Sequence, residues 1–192
     1  MKDMKVKEKI LNAAQERMLK HGYRKVTVDE IAADLVMSKN TIYKHFQSKE
    51  DIANHLIYRL KDRLNVSLGH IESSEEDPLK AFSDSIIVLR REIGPWFMYF
   101  FKDTPNELPE LWNEFLRYRN EKILDIRKII ERGVKKKVFR KVHQSIAVQA
   151  YLGSIKAILN PKFLEDAKIT FDDALEEIID IWSNGIIKKK VK

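Results

Sequence analysis

The fold is decided by Val26-Thr-Val-Asp-Glu-Ile-Ala32, by Met37-Ser-Lys-Asn-Thr-Ile-Tyr-Lys-His-Phe46, and by the Ser48-Lys-Glu50 that follows. Thr27 and Glu30 have capping-box spacing, in which the hydroxyl and the carboxylate each accept from the other residue's backbone N–H. This predicts a short helix from Val28 to Leu35. Ser38 is a second N-cap and opens a helix from Lys39 to Phe46,. Val36-Met37 is too short a connection for two helices packed side by side, so the second helix crosses the first steeply and projects outward. Ile42 and Phe46 lie four apart and face the core. Lys39, Asn40, Thr41, Tyr43, Lys44 and His45 are left for the outside. One apolar edge with donors elsewhere suits the base edges and phosphates of duplex DNA.

The flanking sequence keeps a helical period. Val6, Ile10, Ala14 and Met18 form a stripe over a first helix from about Lys5 to His21, which Gly22 ends,. Ile52, Leu56, Leu60 and Leu64 mark a fourth helix from Lys49 to about Leu68. The polar stretch Gly69 to Asp77 is a boundary, and Pro78 opens a helix whose stripe is Leu79, Phe82, Ile86, Leu89 and Ile93,. Gly94-Pro95 reads as a break before the aromatic block Trp96 to Phe101. A long helix follows from about Glu110 to Val134, with Trp112, Phe115, Leu116, Ile123, Ile126, Ile130 and Val134 on one stripe. Lys135 to Val142 is a basic turn and 144–159 is apolar nearly all round. Asn160-Pro161 reads as a second break, and a last helix runs from Thr170 or Phe171 to about Ile187 before a frayed Lys188–Lys192 tail. The expected class is all-α, an N-terminal three-helix helix-turn-helix domain followed by a C-terminal helical domain.

Composition narrows the function. The 192 residues hold no cysteine, which removes disulfides, thiolate metal sites and cysteine nucleophiles,. No apolar run approaches the roughly 20 residues that span a bilayer, and the charged N-terminus is not a signal-peptide core, so a cytoplasmic protein is expected. The net charge of +7 favours a polyanionic partner,. No H-E-x-x-H, phosphate-binding glycine loop or G-x-S-x-G occurs, and the five histidines are scattered, so neither an enzyme nor a cofactor is expected,. An RNA-binding or membrane-surface protein would place aromatics or a basic amphipathic helix beside the charge, whereas the aromatics here concentrate in the core-like C-terminal half.

Together with Ile10-Leu-Asn-Ala-Ala14 and Gly22-Tyr23, the quoted motif resembles the N-terminal domain of TetR/AcrR-family regulators. The specific match covers about a quarter of the chain. Gly133, Val138-Phe139-Arg140 and Leu159-Asn160-Pro161 are similar, less distinctively, to the family's C-terminal region. The resemblance implies a DNA-binding transcriptional regulator. Residues 1–48 would bind DNA, and residues 49–192 would hold regulation and dimerisation, with the fourth helix, 49–68, as connector. It further implies that Thr27 and Ser38 cap, with Thr27 touching phosphate. Lys39, Asn40 and Thr41 would approach base edges, Tyr43, Lys44 and His45 backbone or flanking bases, and Lys49 phosphate. One position departs from the pattern: Val36 stands where the family usually has glycine. A turn that needs positive φ is costly there, by roughly 1–2 kcal/mol, and a degenerate motif that no longer binds an operator is the alternative reading.

The C-terminal half offers two further sets of residues. Arg90 and Arg119 fall on apolar stripes, and with Trp96, Phe97, Phe100, Trp112 and Phe115 they could hold a small apolar effector with an acidic head group,. The plainer alternative is arginines paired with carboxylates such as Glu92, Glu107 or Glu114, beside aromatics that are ordinary core. Ile146, Tyr151, Ile155, Ile158, Ile178, Trp182 and Ile186 carry more apolar surface than one core absorbs and are the expected homodimer interface,.

Overall fold

The computed structural model describes residues 2–73 and 77–187. Among them the chain forms ten helices and no strand, as the apolar period predicts,. These are α1 (Lys2–His21), α2 (Val28–Asp34), α3 (Lys39–Tyr43), α4 (Lys49–Ser73), α5 (Pro78–Phe97), α6 (Phe100–Glu107), α7 (Pro109–Lys135), α8 (Gln144–Ile158), α9 (Pro161–Ala167) and α10 (Phe171–Ile186). The frayed tail expected at Lys188–Lys192, the centre of the acidic stretch at 74–76, and the Ile123 side chain lie outside what is described. No helix among the described residues is long and apolar enough to cross a membrane.

The chain divides into two compact units, Met1–Asp62 with Pro95–Phe115, and Arg63–Gly94 with Leu116–Lys192. In the first, Ile10, Ala14 and Met18 of α1 are buried with Ile31, Ile42, Phe46, Ile52, Leu56 and Leu60. Gly22 ends α1 at φ 84, the left-handed conformation expected of it,. A side chain there would also run into the Asp103 carboxylate of α6, which accepts the Arg24 backbone N–H at 2.9 Å. The α1–α2 connector is thus seated on α6. In the second unit Phe139 is buried on Gly133, and Tyr151 packs edge-on against Phe82 and Trp182, with centroids 5.9 and 5.2 Å away. An isolated bridge joins Phe139 to Ile187, and the Arg140 N–H donates to the Ile186 carbonyl at 2.9 Å.

Several expected boundaries move, each for a local reason. α4 passes through Gly69 to Ser73, because a glycine stops a helix only when it turns left-handed, and Gly69 does not,. α5 passes through Gly94-Pro95 to Phe97. Pro95 lies near the helix end, and Gly94 does not turn left-handed. α6 is an addition to the expected elements and carries Pro105 inside it. Its buried face is Phe100, Phe101 and Thr104. α9 reverses the reading of Asn160-Pro161 as a break. The Asn160 side-chain Oδ1 accepts from the Lys162 N–H at 2.9 Å and Pro161 takes the first helical position, so the pair starts a helix,.

Candidate nucleic-acid interface

The two motif helices are built as the caps require. The Thr27 hydroxyl accepts from the Glu30 N–H at 3.2 Å, and the Glu30 carboxylate accepts from the Thr27 N–H at 2.8 Å. These bonds and the Arg17 guanidinium hold the Glu30 carboxyl below its ordinary pKa. Arg17 on α1 also donates to Asp34 at 2.7 Å, fastening the far end of α2. The Ser38 hydroxyl accepts from the Thr41 N–H at 3.1 Å and lies 2.9 Å from the Thr41 hydroxyl.

Val36 occupies the turn at φ 51, in the left-handed region. Its N–H donates to the Ala33 carbonyl at 3.1 Å and the Met37 N–H to the Ala32 carbonyl at 2.9 Å, the two bonds of a Schellman motif,. The turn therefore keeps glycine geometry with a β-branched residue in it. The Val36 side chain is 94% exposed and contributes no packing to offset the cost. Val36→Gly is expected to stabilise the protein by about 1 kcal/mol, the left-handed penalty less the extra freedom glycine gives the unfolded chain. That raises Tm by about 2–4 °C for a chain of this size. A Tm that stays level or falls on calorimetry contradicts the strained turn.

α3 ends at Tyr43, one turn earlier than expected, and Lys44 and His45 form the turn after it. Ile42 and Phe46 are buried as expected, while Lys39, Asn40, Tyr43 and Lys44 are exposed and Thr41 is half-buried. Lys39 is not idle: its ammonium sits 2.8 Å from Asp29 in the first turn of α2, which raises its pKa. Two expected outward residues point elsewhere. The His45 side chain is only 12% exposed, with Nδ1 3.4 Å from Asp3 on α1, because the turn after Tyr43 takes it out of the α3 register. The Lys49 ammonium donates to the Tyr23 and Val26 carbonyls, both at 3.0 Å, and lies 4.1 Å from the Tyr23 ring centroid. It clamps the α1–α2 connector to α4, and burial pulls its pKa below the lysine range. Arg24 and Lys25 in that connector are exposed cations beside Thr27 that the motif reading passed over.

The expected effector set separates. Trp96, Phe97, Phe100, Trp112 and Phe115 belong to the first unit and surround Phe101, with centroid distances from 4.6 to 6.5 Å. They pack as a core cluster. Arg90 and Arg119 belong to the second unit. Arg90 is 41% exposed and pairs with Asp172 at 3.0 Å and with Glu176, carboxylates on α10 rather than those the sequence suggested. Of the expected interface residues, Tyr151, Ile155, Ile178 and Ile186 are buried within the protomer's own second unit. Ile146, Ile158 and Trp182 stay accessible, as do Ala150, Gly153 and Ala157 of the apolar helix α8, joined by Ile181 and Gly185 of α10, which the sequence did not point to.

Residues 10–56 match the family of bacterial regulatory proteins described as the tetR family. The chain is 21% identical to the uncharacterized HTH-type transcriptional regulator YvaF of Bacillus subtilis over 180 residues, 93% of this chain and 95% of that protein. It is 41% identical to the HTH-type transcriptional regulator QacR of Staphylococcus aureus over 49 residues, 26% of each. Among solved structures, a transcriptional regulator from Saccharomonospora viridis in complex with choline shares the fold at TM-score 0.77 and 19% identity, covering 97% of this chain and 100% of that one. The motif, the helical architecture and a regulator relative matched over nearly its whole length together support a TetR-family DNA-binding transcriptional regulator, with the tetR-family match itself lying over residues 10–56.

Proposed function

We propose that the chain is a ligand-responsive repressor that binds a palindromic operator as a homodimer, with residues 1–48 reading DNA and residues 49–192 serving dimerisation and ligand response. The observation that carries the DNA-reading part is a capped, outward α3 anchored on Ile42 and Phe46, with Lys39, Asn40, Tyr43 and Lys44 exposed. In this reading Lys39, Asn40 and Thr41 approach base edges, and Lys39 exchanges Asp29 for DNA. Thr27, Ser38, Tyr43 and Lys44 contact the backbone or flanking bases. His45 and Lys49 hold the domain together and act through the position of α3.

The second copy is supported by the outer face of α8 and α10. Ile146 is 68% exposed and Ile181 61%, and both line an open groove of about 540 Å³ with Ala150, Trp182 and Gly185. A glycine inside a helix costs about 1 kcal/mol relative to alanine, yet Gly153 and Gly185 have nothing within 4 Å of a built Cβ. Nothing among the described residues of the protomer requires them to be small. Close approach by another helix does, and in a two-fold dimer that helix comes from the same face of the partner. Selection of bound duplexes from a random pool tests the proposal. Recovery of a palindrome with half-sites about one helical turn, or a multiple, apart supports it, and recovery of no common sequence refutes it.

A further inference from the structure

Several of the chain's arginines have carboxylate partners. Arg17 has Asp34, Arg63 has Glu92 at 2.8 Å, Arg90 has Asp172 and Glu176, and Arg127 has Glu131 at 2.8 Å. Arg119 is treated differently. It stands on α7 on the stripe that carries Ile126 and Ile130, both buried. Among the described residues its Nε is buried without a hydrogen-bond partner, and its polar contact is a single bond from Nη2 to the Asn120 side-chain Oδ1 at 3.3 Å. The positions three and four residues away on its own helix hold Phe115, Leu116, Lys122 and Ile123, none of them acidic,. Burial pulls its pKa below the ordinary arginine value with no opposing counter-charge.

A half-buried guanidinium without a counter-charge destabilises the folded state, and replacing a buried charge by an apolar group of similar volume is often stabilising. The unused Nε also leaves half of a planar fork that matches carboxylate or phosphate oxygens two at a time. We propose that Arg119 is the counter-charge for the anionic group of a small apolar ligand, a carboxylate or phosphate monoester on a hydrocarbon body. The inference rests on the ligand-responsive reading above and gives that ligand its charge. A quaternary ammonium such as the choline bound by the Saccharomonospora viridis protein has the opposite sign and is not accepted here.

The test is thermal melting of the full chain at constant ionic strength, wild type against Arg119→Met and Arg119→Lys, alone and with octanoate, octyl phosphate, 1-octanol or choline. Without additive, Arg119→Met is expected to melt about 3 °C above wild type, the shift that relief of a modest buried-charge cost gives in a chain of this length. Octanoate or octyl phosphate is expected to raise the wild-type Tm and leave Arg119→Met unmoved, with Arg119→Lys between them. The larger of the two anion shifts identifies the head group, and octanol and choline do not separate wild type from variant. An Arg119→Met protein that melts below wild type shows a charge already compensated within the fold and overturns the proposal. So do anion shifts that are equal in all three proteins or absent from wild type. Operator affinity under the same additives keeps the two readings apart. Arg119-dependent stabilisation without operator release upholds the anion site and removes ligand response from the proposed function.

Discussion

Gly133→Ala is expected to leave the protein barely folded. The new Cβ would lie 2.0 Å from Cδ2 of Phe139, whose ring is buried against that glycine in the second unit. No rotation of a methyl group relieves such an overlap, so the ring must leave its site. Losing a buried phenylalanine costs about 3–5 kcal/mol, a large share of the roughly 5–15 kcal/mol that holds a domain together. The bridge from Phe139 to Ile187 and the bond from Arg140 to Ile186 go with it. Gly69→Ala is the internal control. It is the same change inside a helix, with nothing within 4 Å, and is expected to stabilise by up to about 1 kcal/mol,. Denaturant unfolding of the two variants should therefore move in opposite directions. A Gly133→Ala protein within about 1 kcal/mol of wild type, where unstrained substitutions fall, contradicts the packing of Phe139.

Gly153→Glu is expected to separate the dimer while leaving the protomer folded. The position is exposed and a Cβ there has nothing within 4 Å, so a glutamate can point to solvent in the isolated protomer, but in the proposed interface it places a charge between two close helices,. Sedimentation should show a monomer with native helix content. Because two linked half-site contacts bind far more tightly than one, operator affinity should fall by about 10²-fold or more. A Gly153→Glu chain that stays dimeric and keeps its operator affinity places the interface on another surface.

The parts of this molecule legible in the sequence are those written in local chemistry. Thr27, Glu30 and Ser38 fix the starts of α2 and α3 through bonds to residues three positions away, so spacing alone reveals them. Val36 is legible only as a departure from the family's usual glycine, and the backbone of the fold is what places it in the left-handed region. Side-chain destinations that depend on distant partners were not legible. Lys49 turns inward because the Tyr23 and Val26 carbonyls need donors, and His45 turns to α1 because Asp3 is there. Arg90 and Arg119 look alike on their stripes, and only the fold shows that α10 brings two carboxylates to the first. In α8 an all-round apolar helix hides which side is core. Burial of Val148, Tyr151, Leu152 and Ile155 settles it and exposes the line through Ile146, Ala150, Gly153 and Ala157.

The central claim is that α3 reads sequence, and competition binding at fixed salt tests it most directly. Wild type is expected to prefer the selected duplex over a scrambled one of equal length by at least about 10³-fold. Asn40→Ala should lower that preference by the roughly 1–3 kcal/mol of a base contact without changing the salt dependence, which phosphate contacts set. Equal affinity of wild type for the two duplexes would contradict the account.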